Sequence, residues 1–217
     1  MMPCNLSDIF PDTVKALAAR PDDVQGELYP EEKKIIQHAV SKRQREFRAT
    51  RLMARELLKH LKVDRFPLLS GVHREPLWPA HICGSITHTD DFCAVAIALT
   101  KDVTSVGLDA QKISVINDEL QPYICHPLEK EWINALPEAE QNCYSNLVFS
   151  AKECFFKWQF PLTQSWLNFN DCWLTVDKSK KQFQVNLLRN PKSILSTQSL
   201  TGKYQFTQDL ILTGICH

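Results

Sequence analysis

Three short segments of this sequence concentrate side chains that can bind a phosphate group or a metal ion. Residues 150–157 (SAKECFFK) place Glu153 and Lys157 four positions apart in a segment with the pattern of an aromatic-rich helix. Residues at this spacing lie on one face of a helix, so an acid and a base would stand side by side. Two further segments, 84–88 (GSITH) and 107–111 (GLDAQ), supply hydroxyl, imidazole, carboxylate and amide groups at the ends of predicted strands.

Asp109 and Gln111 alternate along a predicted strand and therefore project to the same side of it. Together with Glu153 they would form an all-oxygen site, which suits Mg²⁺ rather than zinc. Each residue also has a structural interpretation. Asp109 can cap a strand end, and Glu153 can form a weak surface ion pair with Lys157.

Arg51 stands out from the other basic residues of the predicted helix at 42–61. Most of those residues are expected to form a solvated face. Arg51 instead lies within the apolar stripe that contains Phe47, Ala54 and Leu58 at helical spacing. A buried guanidinium needs an anionic partner, because desolvating it without one is costly. That partner is either a phosphate or an internal carboxylate, and the sequence does not choose between them.

Other candidate phosphate ligands lie in a loop and at a strand end. The loop at 71–79 is indicated by its glycine and prolines, and its Arg74 can bind a phosphate through two hydrogen bonds. Ser85, Thr87 and His88 offer hydroxyl and imidazole groups suited to phosphate oxygens. The alternative is a turn in which such side chains bind the local backbone.

Composition limits the classes of partner and location. The 217 residues contain 25 Lys and Arg and 25 Asp and Glu, so the formal net charge is zero, which argues against a nucleic-acid partner. The longest apolar run, residues 92–99, is too short to span a bilayer, and the first residues lack signal-peptide features. We therefore expect a cytoplasmic protein without a transmembrane segment. The eight scattered cysteines are expected to be free thiols.

Periodicity predicts an alternation of helices and strands. Helices are predicted at 30–40, 42–61, 127–136 and 139–160, and strands at 83–87, 92–100, 105–110, 172–176, 183–188, 204–207 and 210–216. Ser41 and Gln44 have capping-box spacing at the start of the second helix. Residues 92–99 are apolar on both faces, which is typical of a central strand that is covered on both sides.

These elements predict an α+β fold in which each half has helices followed by strands. We expect two similar α/β lobes, each with helices packed on a small, mainly antiparallel sheet, at residues 1–105 and 106–217. The lobes would form one packed unit with a ligand cleft between them.

In their order and approximate spacing, the segments resemble the 4′-phosphopantetheinyl transferases. The resemblance is to the group that contains enterobactin synthetase component D and the surfactin-type enzymes, and it covers roughly residues 41–160. It is carried by FRATR at 47–51, REPLWP at 74–79, GSITH at 84–88, GLD at 107–109 and SAKECFFK at 150–157.

The resemblance implies a pseudo-symmetric two-lobe enzyme that binds coenzyme A and Mg²⁺ in the cleft. It implies transfer of 4′-phosphopantetheine to a serine of an acyl, aryl or peptidyl apo carrier protein, with release of adenosine 3′,5′-bisphosphate. Carriers in this group often belong to siderophore-type peptide synthesis. The positions that it assigns to coenzyme A are Arg51, Arg74, Thr87, His88, Asp109, Glu153 and Lys157.

By the same resemblance, Asp109 and Glu153 fall on metal-ligand positions and Lys157 on the lysine that contacts the pyrophosphate. Asp109, Glu153 and Lys157 are thus the expected catalytic residues, with Glu153 as the candidate base for the carrier serine. The sequence departs from the family at Gln111, where a second carboxylate is common. An amide oxygen can still ligate Mg²⁺, so we expect weaker metal binding rather than loss of activity.

Three other functions are compatible with the same residues. One is a Mg²⁺-dependent phosphohydrolase that uses the same acids. Another is a non-catalytic module that binds phosphate or nucleic acid through the basic helix at 42–61. The third is a catalytically inactive homologue, for which Gln111 is the hint. A monomer is expected, because the paired lobes already complete a cleft.

Overall fold

The N-terminal lobe is a three-stranded antiparallel sheet covered by a long helix. The computed structural model describes residues 6–116, 119–190 and 200–217. The sheet has the order β1-β3-β2, formed by β1 (Lys15–Ala19), β2 (Ile82–His88) and β3 (Cys93–Leu99). Helices α1 (Pro30–Ile36) and α2 (Ser41–His60) lie between β1 and β2 in the chain.

Strand β3 is central and buried on both faces, as its apolar sequence predicts. Cys93, Val95 and Ile97 pack with the apolar residues of α2, and all three are fully buried. The alternate residues of β3 are alanines, which face the C-terminal lobe and belong to a different core cluster. Their small size lets a second layer of structure approach the sheet closely.

The C-terminal lobe is a five-stranded antiparallel sheet with the order β4-β8-β7-β6-β5. Its strands are β4 (Val106–Lys112), β5 (Cys172–Asp177), β6 (Gln182–Leu187), β7 (Leu200–Phe206) and β8 (Leu210–Cys216). Its helices are α3 (Gln121–Ile124), α4 (Pro127–Asn134) and α5 (Glu138–Thr163). Helix α5 packs on this sheet through buried residues that include Leu147, Ala151 and Phe155.

The two lobes share a hydrophobic core and a set of hydroxyl bridges. Val106, Leu108 and Ala110 of β4 cluster with the alanines of β3 and with residues near the start of the chain. Ser85 Oγ accepts a hydrogen bond from the Leu108 N–H at 3.0 Å, and Thr87 Oγ1 accepts one from the Ala110 N–H at 3.0 Å. Strand β2 is thereby fixed against β4.

The α+β fold with two antiparallel sheets confirms the predicted fold class. The division into residues 1–105 and 106–217 stays a prediction, because the shared core joins both sides of that boundary. No helix among the described residues combines the length and apolar character needed to cross a membrane. The described cysteines are free thiols, as expected; Cys4 lies outside the described residues.

Two details of the predicted elements are wrong. The capping box does not form, because Ser41 lies inside α2, Val40 is the N-cap residue, and the Gln44 side chain donates to the Ala39 carbonyl at 2.8 Å. The prediction also lacks β1, so a strand precedes the helices α1 and α2 of the N-terminal lobe, and it lacks the short helix α3 as well. β1 has only five residues and no clear alternation of polar and apolar positions.

Candidate functional site

The site forms where helix α5 crosses strand β4 at Gly107. Alternation along β4 puts Gly107, Asp109 and Gln111 on the same face. A β carbon added to Gly107 would lie 2.2 Å from the Cys154 carbonyl oxygen and 2.9 Å from Trp158 Cβ. The absence of a side chain at this position therefore lets the backbone of α5 approach β4 closely, next to Asp109.

The Asp109 carboxylate is buried and accepts hydrogen bonds on both oxygens. Thr87 Oγ1 donates to Oδ1 at 3.2 Å, and Ser150 Oγ donates to Oδ2 at 2.8 Å. Lys157 Nζ forms an ion pair with Oδ1 at 2.6 Å and also donates to the Leu108 carbonyl at 3.2 Å. One carboxylate thus joins α5, β2 and β4.

Ser150 fixes α5 to the sheet as well as to Asp109. Its hydroxyl lies 2.9 Å from Thr213 Oγ1 on β8, and Thr213 Oγ1 donates to the Ser150 carbonyl at 3.1 Å. Both residues are fully buried. The sequence analysis did not select Ser150, although it begins the 150–157 segment and precedes Glu153 by one helical turn.

Glu153 lies on the face of α5 that points to Asp109. It follows Ser150 by three residues and precedes Lys157 by four, and both of those residues reach Asp109. Burial raises the pKa of the Glu153 carboxyl above its ordinary value of 4.5, and the negative charge of Asp109 raises it further, against the opposing effect of Lys157. The half-buried carboxylate forms no hydrogen bond or ion pair with another described residue.

The surface ion pair that was expected between Glu153 and Lys157 therefore does not form. Lys157 pairs with Asp109 instead. This arrangement leaves the Glu153 carboxylate available for a ligand or for a proton.

The carboxylate and amide side chains on this face of β4 and α5 are of the types that a hard cation takes as ligands. In the described parts of the chain, no group of three or more His, Cys, Asp and Glu side chains is placed as a metal site. The predicted set differs from such a group, because it has two carboxylates, Asp109 and Glu153, and the amide of Gln111. Gln111 is half-buried on the same face of β4 as Asp109. The Lys157 ammonium lies 2.6 Å from Asp109 Oδ1, so this oxygen already pairs with a positive charge.

Arg51 is a buried guanidinium with no carboxylate partner. It is 6% exposed, its Nε donates to the Leu68 carbonyl at 3.1 Å, and its guanidinium stacks 4.0 Å from the Phe47 ring centre. Burial lowers the pKa of Arg51 to about 10. No ion pair joins it to a carboxylate among the residues that the structure describes. The negative charge of the buried Glu32 nevertheless acts on Arg51, so a phosphate and an internal carboxylate both stay candidate partners.

His88 is held in one orientation by two charged residues of α2. Its Nδ1 lies 3.3 Å from Glu46 Oε2, and its Nε2 is hydrogen-bonded to Arg43 Nη1. Burial, together with the positive charges of Arg43 and Lys157, lowers the pKa of His88 to about 4. The imidazole is therefore neutral at pH 7, so Nδ1–H donates to Glu46 and Nε2 accepts from Arg43.

Arg43 is a site residue that the sequence analysis assigned to the solvated face of α2. Its partner, His88, lies 45 residues later on another element. Helical periodicity reports which face of a helix a residue occupies, but not which strand that face meets. The basic character of the segment was thus visible in the sequence, and the contact was not.

Thr87 and Arg74 occupy different environments from each other. Thr87 is 3% exposed, and its hydroxyl is engaged by Asp109 and by the Ala110 N–H. Arg74 is exposed on the loop between α2 and β2, with a positive φ of 67°. Its neighbour His73 packs edge-on against Phe160 of α5 at 5.3 Å, so this loop reaches the other lobe. The Arg74 guanidinium has no hydrogen bond or ion pair to another described residue.

Two family models together match most of the chain. Residues 31–98 match the 4′-phosphopantetheinyl transferase N-terminal domain, and residues 105–211 match the 4′-phosphopantetheinyl transferase superfamily. The 4′-phosphopantetheinyl transferase Svp of Streptomyces mobaraensis is 34% identical over 207 residues, which are 94% of this chain and 84% of Svp. The chain belongs to the 4′-phosphopantetheinyl transferase family.

The chain is also similar to two further proteins. The 4′-phosphopantetheinyl transferase PptT of Mycobacterium tuberculosis is 33% identical over 193 residues, 86% of this chain and 84% of PptT. Enterobactin synthase component D of Escherichia coli is 32% identical over 124 residues, 56% of this chain and 57% of that protein. The predicted family is confirmed, and the chain is a transferase of this family with coenzyme A as its substrate.

Proposed function

We propose that this 4′-phosphopantetheinyl transferase carries out its reaction at the junction of α5 and β4, with a carrier-protein serine as the acceptor. The serine oxygen attacks the β-phosphorus of coenzyme A, and the bond from that phosphorus to the bridging oxygen breaks. The products are the phosphopantetheinylated carrier and adenosine 3′,5′-bisphosphate. The observation that carries this proposal is the convergence of Ser150 and Lys157 on Asp109, with Glu153 between them on the same helical face.

The nucleotide end of coenzyme A would be held by cations of the N-terminal lobe. Arg51 is buried without a carboxylate partner, and Arg43 presents its guanidinium beside His88. A phosphate would bind the Arg51 guanidinium directly and add its negative charge to the weaker influence of Glu32. The neutral His88 positions Arg43 through Nε2, and Arg74 on its exposed loop is a further candidate for a phosphate contact.

The residues of the C-terminal lobe would bind the reacting diphosphate and one divalent cation. Asp109, Glu153 and Gln111 are the residues that would hold Mg²⁺. When bound, Mg²⁺ would supply positive charge and Lewis acidity to the phosphate oxygens. Thr87 and Ser150 keep the Asp109 carboxylate in a fixed orientation through hydrogen bonds at 3.2 and 2.8 Å.

Glu153 and Lys157 have complementary roles in proton and charge transfer. Glu153 would accept the proton of the carrier serine through the carboxylate oxygen that does not hold the metal, and burial raises the pKa of this carboxyl above its ordinary value. Lys157 neutralises the charge that develops on the departing bisphosphate. Both groups act from one face of α5, so their spacing is fixed by the helix.

An aromatic surface beside Lys157 would contact the uncharged part of the substrate. Phe156, Phe160 and Trp166 form a cluster in which Phe156 and Trp166 have ring centres 4.9 Å apart. Trp166 is 64% exposed. Such a surface suits the apolar and amide segments of the pantetheine arm better than a phosphate.

The preferred carrier, the location and the oligomeric state of the enzyme also belong to this proposal. The partial match to enterobactin synthase component D supports carriers of siderophore-type peptide synthesis. An acidic acyl, aryl or peptidyl carrier would complement the basic helix α2. We further propose that the enzyme acts as a cytoplasmic monomer and has no nucleic-acid partner.

Incubation with coenzyme A, Mg²⁺ and an apo carrier protein tests the proposed function. Mass spectrometry of the carrier should detect the added phosphopantetheine, and chelation of the metal with EDTA should abolish the gain. Free phosphopantetheine without modified carrier would instead indicate a phosphohydrolase. An unchanged carrier and unchanged coenzyme A would contradict both.

The variant Glu153→Gln tests the assigned base. Its turnover number should fall at least about 100-fold, which is a typical contribution of a general base. Coenzyme A binding, measured by calorimetry, should remain within about threefold of the wild-type value. Normal turnover in this variant would contradict the role of Glu153.

A further inference from the structure

We infer that Lys157 and a divalent cation occupy the same position on Asp109 in turn, so that metal binding displaces the lysine towards the substrate. This inference rests on the proposed function, since it concerns the same site. It assigns to Lys157 a second role, as the cation that occupies the metal position when coenzyme A and metal are absent.

Asp109 has one position that a cation can reach from solvent. Oδ2 is directed to the fully buried Ser150, and Oδ1 accepts from the buried Thr87 as well as from Lys157. Of these three donors, Lys157 alone has a substantially exposed side chain, at 28%. A cation that approaches Asp109 from solvent therefore reaches Oδ1 at the position where the ammonium now lies.

The chemistry of that position suits a divalent cation as well as an ammonium group. The Lys157 ammonium contacts two oxygen atoms, Asp109 Oδ1 at 2.6 Å and the Leu108 carbonyl at 3.2 Å. Oxygen atoms of carboxylate and carbonyl groups are the ligands of hard divalent cations as well as of ammonium groups. The neighbouring Glu153 carboxylate has no hydrogen-bonding partner among the described residues, so it can complete a site for either cation.

Electrostatic repulsion prevents Lys157 and a divalent cation from binding Asp109 at the same time. A divalent cation and an ammonium group that both touch Oδ1 would repel each other strongly in this partly buried position. One of them must therefore leave, and Lys157 has a flexible four-carbon side chain that can move. A phosphate of coenzyme A offers the displaced ammonium a new anionic partner. Metal and coenzyme A should consequently bind with positive coupling, each favouring the other.

Mn²⁺ binding in the absence of coenzyme A tests this exchange without any measurement of turnover. The free Mn²⁺ concentration is followed by electron paramagnetic resonance in titrations of the wild type and of Lys157→Met. The variant should bind Mn²⁺ about tenfold more tightly, because Asp109 no longer has a competing cation. The double variant Asp109→Asn with Lys157→Met should lose this tight site.

Arg43→Gln is the matched control for a general change of charge. It also removes one positive charge close to His88, but it opens no position on Asp109. Its Mn²⁺ affinity should stay within about threefold of the wild-type value. If Lys157→Met binds Mn²⁺ no more tightly than Arg43→Gln does, the exchange is wrong. Circular dichroism checks the folding of each variant, and Lys157→Gln provides the same test if Lys157→Met does not fold.

The failure of this inference is distinguishable from the failure of the proposed function. If the wild type modifies the carrier while Lys157→Met shows unchanged Mn²⁺ affinity, the exchange alone is contradicted. If the wild type fails to modify any carrier but the tight Asp109-dependent site appears in Lys157→Met, the exchange is supported and the proposed acceptor is contradicted.

Discussion

At the scale of single residues, the orientation of Asp109 depends on neutral hydroxyl groups as much as on charge. Ser150 and Thr87 each donate one hydrogen bond to it from buried positions. Hydrogen bonds to a carboxylate from fixed donors hold the acid at the geometry that a ligand needs. Ser150 and Thr87 are therefore positioning residues rather than catalytic ones.

Ser150→Ala should test this positioning role. Loss of the donor to Asp109 Oδ2 should lower the free energy of unfolding by about 1–2 kcal/mol and lower kcat by about tenfold. Mn²⁺ affinity in the presence of coenzyme A should fall in parallel, because Asp109 is no longer held.

Ser145→Ala is the matched control on the same helix. The Ser145 hydroxyl donates only to the Gln141 carbonyl within α5, at 2.9 Å. Its kcat and Mn²⁺ affinity should be close to those of the wild type. Equal loss of kcat in both serine variants would mean that the effect of Ser150→Ala is one of general helix stability.

The pH dependence of turnover should report the ionisation of Glu153. The base is active when deprotonated, and burial raises its pKa above 4.5. The kcat should therefore fall as the pH decreases through the pKa of Glu153, and the midpoint should rise as the Mg²⁺ concentration is lowered, because the metal favours the ionised carboxylate. Glu153→Gln should lack this acidic limb. An acidic limb that persists unchanged in Glu153→Gln would contradict the assignment.

The sequence predicted some of these site residues and missed others, and the difference has a physical reason. Glu153, Lys157 and Asp109 stand in segments whose local spacing already indicates a shared face. The contacts of Arg43 with His88 and of Ser150 with Asp109 join residues 45 and 41 positions apart. Local patterns carry no information about such pairs, because the pairs depend on how the sheets and helices pack.

At the scale of elements, the site depends on how helix α5 is seated. One face of α5 lies against β4 at Gly107, where the backbone of the helix occupies the space that a side chain would need. On another face, the buried Lys152 forms an ion pair with Glu129 of α4 at 2.7 Å. Removing one partner of such a buried pair is strongly destabilising, so the pair restricts the rotation of α5. Glu153, the next residue, is thereby directed to Asp109.

Gly107→Ala should separate α5 from β4. The new methyl group would overlap the Cys154 carbonyl, which is backbone and cannot move alone. We expect a loss of about 1–3 kcal/mol in the free energy of unfolding and a larger relative loss of activity, measured by chemical denaturation and carrier modification.

Gly71→Ala is the comparison for the glycine variant. The nearest atoms to the methyl group there would belong to the end of the Glu75 side chain, which can rotate away with the loss of its hydrogen bond from the His73 N–H. Its stability should change by less than about 1 kcal/mol. If the two alanine variants have the same stability, the close approach of α5 to β4 is not the reason for Gly107.

The elements that the sequence predicted well are those with a strong and long pattern. Strand β3 is apolar at every position from Cys93 to Leu99, and α2 and α5 extend over 20 and 26 residues. Strand β1 was missed because five residues with Lys15 at their start give too weak a pattern. The capping box failed because Val40 takes the N-cap position instead of Ser41.

At the scale of the whole molecule, the two lobes share one core and should unfold together. Leu6, Ile9 and Phe10 pack with the facing residues of β3 and β4. Neither lobe can bury its own apolar face without the other. Differential scanning calorimetry should therefore record a single transition whose calorimetric and van't Hoff enthalpies agree. Two separate transitions would contradict a shared core.

The central claim is that Asp109 and Glu153, from different elements, bind one divalent cation beside the diphosphate of coenzyme A. The most direct test is a crystal structure of the enzyme with coenzyme A and Mn²⁺, in which anomalous scattering locates the metal. We predict one peak about 2 Å from a carboxylate oxygen of each residue. A peak bound to only one of them, or placed away from both, would contradict the claim.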